Sequence, residues 1–211
     1  MGYYPIVVEM AGRLCLVVGG GAVAERKVEG LLDVGASVTV VGPRLTERLA
    51  SWVEAGTVRH VARAYRPGDL VGYALAFVAT DDRAVNAQVF RDAKARGVWV
   101  NAADDPAHCD FILPSVLRRG ELTVAVATGG ASPALSRAIR EELEAYFTDD
   151  YAALAHVVAE VRRELRRRAP LPDATAWRTA LDADLRRLVA EGKREEAKVH
   201  LLGRLEAGRC G

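Results

Sequence analysis

The stretch Leu14 to Ala24 reads LCLVVGGGAVA. Four apolar residues, Leu14, Leu16, Val17 and Val18, run straight into Gly19-Gly20-Gly21, and Ala22 to Val34 then reads as a helix ending at Gly35. Strand, glycine turn and helix in that order carry the G-x-G-x-x-G/A fingerprint at Gly19, Gly21 and Ala24. Each small residue has its own duty: Gly19 for the tight turn, Gly21 for close approach of backbone to a pyrophosphate, and Ala24 for close packing of helix on strand. The N–H groups at the start of the helix face the same anion with a partial positive charge.

Outward from this turn the chain alternates. Ser37 to Val41 (SVTVV) is a β-branched strand stopped by Gly42-Pro43, so strand, helix and strand form a right-handed unit with a parallel pair. Many NAD sites carry an acidic residue at the end of this second strand, where Pro43-Arg44 stands here. Arg44 is therefore read either as a partner for a 2′-phosphate or as a solvated side chain. A helix over Leu45 to Ala55, a strand over Thr57 to Val61 and a loop around Pro67-Gly68 follow. Ala74 to Ala79 (ALAFVA) is apolar throughout, as a central parallel strand must be, and it ends in Thr80-Asp81-Asp82. These residues cap the next helix, Arg83 to Arg96, and lie at the carboxyl edge where open α/β sheets bind ligands.

A fifth strand, Val98 to Val100, delivers Asn101 to the same edge. The polar loop Ala102 to Asp110 (AADDPAHCD) then brings Asp104, Asp105, His108 and Cys109 close together in sequence. Adjacent His and Cys are not a zinc spacing, and no metal site is expected. A carboxylate just past a strand tip suits acid/base work better, and Asp104 is the candidate; Asp105 with Pro106 reads as a turn.

From Phe111 the alternation stops. Ser115 to Arg118 and Leu122 to Ala127 read as a hairpin. Thr128-Gly129-Gly130-Ala131-Ser132-Pro133 leads into a helix to Phe147, with Ser132 as N-cap and Pro133 at its first position. That turn is either a plain cap or a second anion-receptive backbone site. After Asp149-Asp150 the chain reads as helical: Tyr151 to Ala169, Ala174 to Ala190 and Lys193 to Ala207. Arg162, Arg163, Arg166, Arg167 and Arg168 form either a solvated face or an attractor for a polyanion.

These readings amount to an α/β chain: a Rossmann-type parallel sheet over 1–113, a small α+β dimerisation segment over 114–147 and a helical domain over 148–211. A length of 211 residues, half of them hydrophobic, allows a core of that size, and a net charge of +1 gives no global case for nucleic acid or membrane as partner. Three widely spaced cysteines point to a reducing, cytoplasmic setting. The N-terminus has no basic leader, and no apolar run is long enough to span a bilayer.

The blocks YYPIVVEMAGRLCLVVGGGAVAERKVEGLL, ATDDRAVN and VNAADDPAHCDFILPSVLRRGELTVAVATGGASPALSRAIREELE carry a resemblance to the precorrin-2 dehydrogenase and sirohydrochlorin ferrochelatase family, the N-terminal module of siroheme synthases. It covers nearly all of residues 3 to 147, and its second half is not a general Rossmann feature. The resemblance implies NAD-dependent oxidation of precorrin-2 to sirohydrochlorin and, in some members, insertion of ferrous iron. It places the cofactor at Gly21, Ala22, Val23, Pro43, Arg44, Thr80 and Asp81, the catalytic aspartate at Asp104, and the tetrapyrrole side at the block from Thr128 through Gly129, Gly130 and Ser132. A substrate with eight carboxylates also needs cations, for which Arg118, Arg119 and Arg137 stand in range of sequence. A homodimer is expected, since a lone hairpin is marginal in water. The rival reading is a non-catalytic NAD-sensing module, which would need only the first motif.

Overall fold

The computed structural model describes residues 2–103, 105–168 and 171–207, and divides into two compact units, 1–113 and 114–211. In the first unit five parallel strands, β1 (Leu14–Val18), β2 (Ser37–Val41), β3 (Val58–Val61), β4 (Leu75–Val78) and β5 (Trp99–Ala102), lie in the order β3-β2-β1-β4-β5. The order reverses between β1 and β4, and it is beyond the carboxyl ends of such a pair that a crevice opens in doubly wound sheets.

The sheet is apolar on both faces because both are covered. Cys15, Val17, Val38, Val40 and Phe77 pack under helices α1 (Ala22–Leu32) and α2 (Glu47–Glu54), which bury Ala24, Val28, Leu31 and Leu49. Leu16, Val18, Val41, Ala76, Val78 and Val100 pack under α3 (Arg83–Arg96) with its Val89 and Ala93. No helix joins β3 to β4. That connection instead buries Tyr65 and Leu70 against the second face and is braced by a two-pronged bond from Arg63 to Asp69, 2.7 Å on each prong.

In the second unit β6 (Ser115–Arg119) and β7 (Leu122–Val126) form an antiparallel hairpin, followed by α4 (Pro133–Tyr146) with Ser132 accepting the Leu135 N–H at 3.1 Å. The remaining helices are α5 (Asp150–Arg168), α6 (Ala174–Ala180), α7 (Ala183–Ala190) and α8 (Arg194–Ala207), around Val157, Val161, Leu165, Leu185, Leu201 and Leu205. The single helix expected over Ala174 to Ala190 is two. Leu181 leaves the helical region, and Asp182 caps a new start by accepting the Leu185 N–H at 2.9 Å. The same carboxylate accepts from His200 and lies 3.4 Å from Arg204, both on α8, so the break is fastened across the bundle.

No helix among the described residues is long and apolar enough to cross a membrane.

Candidate functional site: a glycine cradle and a pinned loop

The three glycines after β1 do three different things. Gly19 has φ +116, and a Cβ there would run into the Ala79 carbonyl oxygen beyond β4. At Gly20, which sequence reasoning did not single out, a Cβ would meet the Arg44 carbonyl oxygen beyond β2. Gly21 is different, because its φ of −87 is open to any residue and a Cβ would meet nothing within 4 Å. The fold needs the first two glycines and places no steric demand on the third. Gly21 is also the N-cap of α1 and offers no side chain to the first N–H groups of the helix, while Ala22 is exposed and Ala24 is fully buried against the sheet. A helix start stripped of its own acceptor, on a switch point, fits a dinucleotide pyrophosphate.

The rim of this cradle comes from the neighbouring strands. Pro43 and Arg44, both exposed, follow β2. Beyond β4, the Thr80 hydroxyl accepts the Asp82 N–H at 3.1 Å, Asp81 is exposed, and Asp82 caps α3 by accepting from Ala84 and Val85. All the cofactor positions read from sequence therefore gather at the carboxyl edge of β1, β2 and β4.

The loop after β5 is closed by residues that sequence patterning had left without a role. The Asp110 carboxylate accepts the Val100 N–H at 3.0 Å and pairs with Lys94, while its own N–H donates to the Val100 carbonyl at 2.8 Å. Those two bonds continue the ladder along the free edge of β5. Inside the loop, the Cys109 sulfur accepts the Ala102 N–H at 3.2 Å and shares its proton between the Ala102 and Asp105 carbonyls. Burial pushes this thiol above its ordinary range. Asn101, nearly buried, donates to the Phe111 carbonyl at 3.0 Å. Asp105 is tied to His108 at 2.6 Å, whose ring stacks edge-on against Phe90. Asp104 itself lies outside the described residues. Among the described residues no group of three His, Cys, Asp or Glu side chains gathers as a metal set.

In the second unit the turn before α4 is held from within. The Thr128 hydroxyl donates to the Ser132 carbonyl at 3.0 Å and accepts the Ser132 N–H at 3.1 Å, and Gly129 and Gly130 both take positive φ. Arg119 is engaged with the end of α4, donating to the Phe147 carbonyl at 2.9 Å and lying 3.2 Å from Asp149. Arg118 and Arg137 are exposed.

Comparison with known proteins bears on both units. A family model described as "Putative NAD(P)-binding" matches residues 6–115, and one described as "Sirohaem biosynthesis protein central" matches residues 119–146. A siroheme synthase of Nitrosococcus oceani is 39% identical over 210 residues, covering 99% of this chain and 45% of that protein. One of Chromobacterium violaceum is 40% identical over 210 residues, again 99% of this chain and 45% of the other. The chain thus spans under half the length of these relatives. A solved structure described as "SirC, precorrin-2 dehydrogenase" superposes with a TM-score of 0.75 at 28% identity, over 94% of this chain and 98% of that one. The chain belongs to the NAD(P)-binding, sirohaem-biosynthesis family that its sequence motifs resemble.

Proposed function

We propose that this chain oxidises precorrin-2 to sirohydrochlorin with NAD as hydride acceptor. The observation that carries the reading is the Gly21 cradle at the switch point, next to a loop that is pinned at its base and bears Asp104. Bound at the cradle, the dinucleotide supplies an electrophilic ring that accepts a hydride. The rest belongs to the chain. The start of α1 holds the pyrophosphate, Pro43 and Arg44 border the second strand's side, and Thr80 with Asp81 borders the side toward β5. Removal of two hydrogens as hydride and proton leaves one proton to be taken, and Asp104 is the base assigned to it. Asn101, Cys109 and Asp110 fix the described ends of the loop in which Asp104 stands in sequence. The block of Thr128, Gly129, Gly130 and Ser132, with Arg118 and Arg137, is assigned to the substrate carboxylates; Arg119 supports it by holding the end of α4.

The relatives are named siroheme synthases, which supports a second step on the product of the first, exchange of the two inner N–H protons of sirohydrochlorin for ferrous iron, with iron as a substrate. We further infer a homodimer built on the hairpin segment, and a cytoplasmic setting consistent with the free thiols of Cys15 and Cys109.

The test is turnover of enzymatically made precorrin-2 with NAD and with NADP, followed by product spectra, then addition of ferrous ion. Asp104→Ala is expected to lower oxidation by roughly a hundredfold while dinucleotide affinity stays near wild type. Full oxidation by that variant with loss of metal insertion alone would remove the base from the first step. Absence of turnover with either cofactor in the wild type would make the chain a binding module.

A further inference from the structure

Asn86 closes the block ATDDRAVN and has no part in the function derived so far. It lies in the second turn of α3, directly below the turn that leads out of β4. Its Nδ2 donates to the Thr80 carbonyl at 3.0 Å, and its backbone N–H donates to the Asp82 carbonyl at 2.9 Å. Its Oδ1 is buried and has no hydrogen-bond partner, the one side-chain atom in that condition among the described residues. An acceptor taken out of water and left unpaired costs the fold the whole desolvation of that oxygen. A leucine of nearly the same shape would fill the space without that cost. An asparagine kept in this state makes sense if a second state of the protein uses the oxygen.

The position says which state. Thr80 and Asp81 border the Gly19–Gly21 cradle, since Gly19 backs directly on the Ala79 carbonyl and Ala79 N–H donates to Val18 at 2.8 Å. The turn that Asn86 holds is thus the one that follows directly on the strand end against which the cradle is built. We propose that Asn86 is a positioning residue of the dinucleotide site: Nδ2 holds the Thr80–Asp81 turn, and Oδ1 accepts a hydroxyl or amide donor of the bound dinucleotide once the turn settles on it. The proposal rests on the dinucleotide reading above.

Thermal unfolding and NADH titration test it, applied to the wild type, Asn86→Leu and Gly21→Asp. In Asn86→Leu the relief of the orphan oxygen is set against loss of the Nδ2 bond to the Thr80 carbonyl, so the midpoint of the ligand-free protein is expected to stay near that of wild type. NADH affinity is expected to fall by about tenfold, with the cofactor-induced rise in midpoint cut accordingly. Asn86→Ala serves the same readouts should the leucine variant not fold. A ligand-free midpoint that falls while NADH affinity holds makes Asn86 a structural residue and overturns the proposal, as does unchanged affinity in a stable variant. Wild-type protein that binds neither NADH nor NADPH removes the dinucleotide reading itself, a failure separate from that of Asn86.

Discussion

Gly19 and Gly21 look alike in the fingerprint and are opposite in what they tolerate. A side chain at Gly19 meets backbone that cannot yield, and the residue is already at φ +116, so Gly19→Ala is expected to destabilise the protein by ~3 kcal/mol. Gly21→Ala meets open space at an ordinary φ, so its cost is only that of alanine at the N-cap of α1, about 0.5–1 kcal/mol and well below that of Gly19→Ala. Gly21→Asp adds a negative charge where the pyrophosphate belongs and is expected to abolish dinucleotide binding in a folded protein, which calorimetry and titration on one sample check. Unchanged affinity in the folded aspartate variant would sink the cradle assignment. The fingerprint made Gly19, Gly21 and Ala24 legible from spacing alone. Gly20 was not, because its constraint is the Arg44 carbonyl, a contact between strand ends that adjacent residues in sequence do not announce. Asn86 was in plain view in ATDDRAVN, yet only burial without a partner marks it out.

Among the elements, the strands and the boundaries of α3 and α4 follow from local signals: β-branched runs, Asp82 and Ser132 as caps, Gly97 in the left-handed region after Arg96. The loop after β5 followed from none. The partners of Cys109 are the backbone groups of Ala102 and Asp105, and Asp110 completes an edge ladder, neither of which a pattern of side chains reveals. The Cys109 anchor works as a thiol, since the S–H is a donor to carbonyls. Burial raises its pKa, so the protonated form is favoured in the fold; the stabilisation is fully present at neutral pH, below the ordinary thiol range, and is lost as pH rises through the folded value. Cys15, pushed up to about 11 by burial, behaves in the same sense. Alkylation at pH 8 followed by peptide mapping is expected to spare Cys15 and Cys109 in the native protein. Asp110→Ala, which frees the Val100 N–H, is expected to raise labelling of Cys109 and leave Cys15 protected. Equal protection of Cys109 in that variant would mean Asp110 is no anchor of the loop.

At the scale of the whole molecule, the two units differ in how completely they bury their apolar surface. The sheet unit has a core on each face, and the terminal helices have their own. Between them in sequence, β6, β7 and α4 bury only Leu117 and Ser136, while Val116, Leu135 and Tyr146 are exposed at 36%, 52% and 59%. A two-stranded hairpin with one helix is too small to be stable alone, and Leu135 and Tyr146, which share one face of α4, ask for a covering surface. In the homodimer proposed above a second copy of the same segment would supply one, because a two-fold interface sets one patch against itself. Sedimentation is therefore expected to give a dimer at micromolar concentration. Leu135→Glu is the sharper probe, since Leu135 is exposed within its own chain and a charge there costs the monomer almost nothing. In a dimer closed over this face the same charge is buried twice without a partner, so the variant is expected to sediment as a monomer with its far-ultraviolet spectrum unchanged. A wild-type monomer at these concentrations, or a Leu135→Glu dimer as tight as the wild type, would show that something other than a second copy's hairpin segment covers this face.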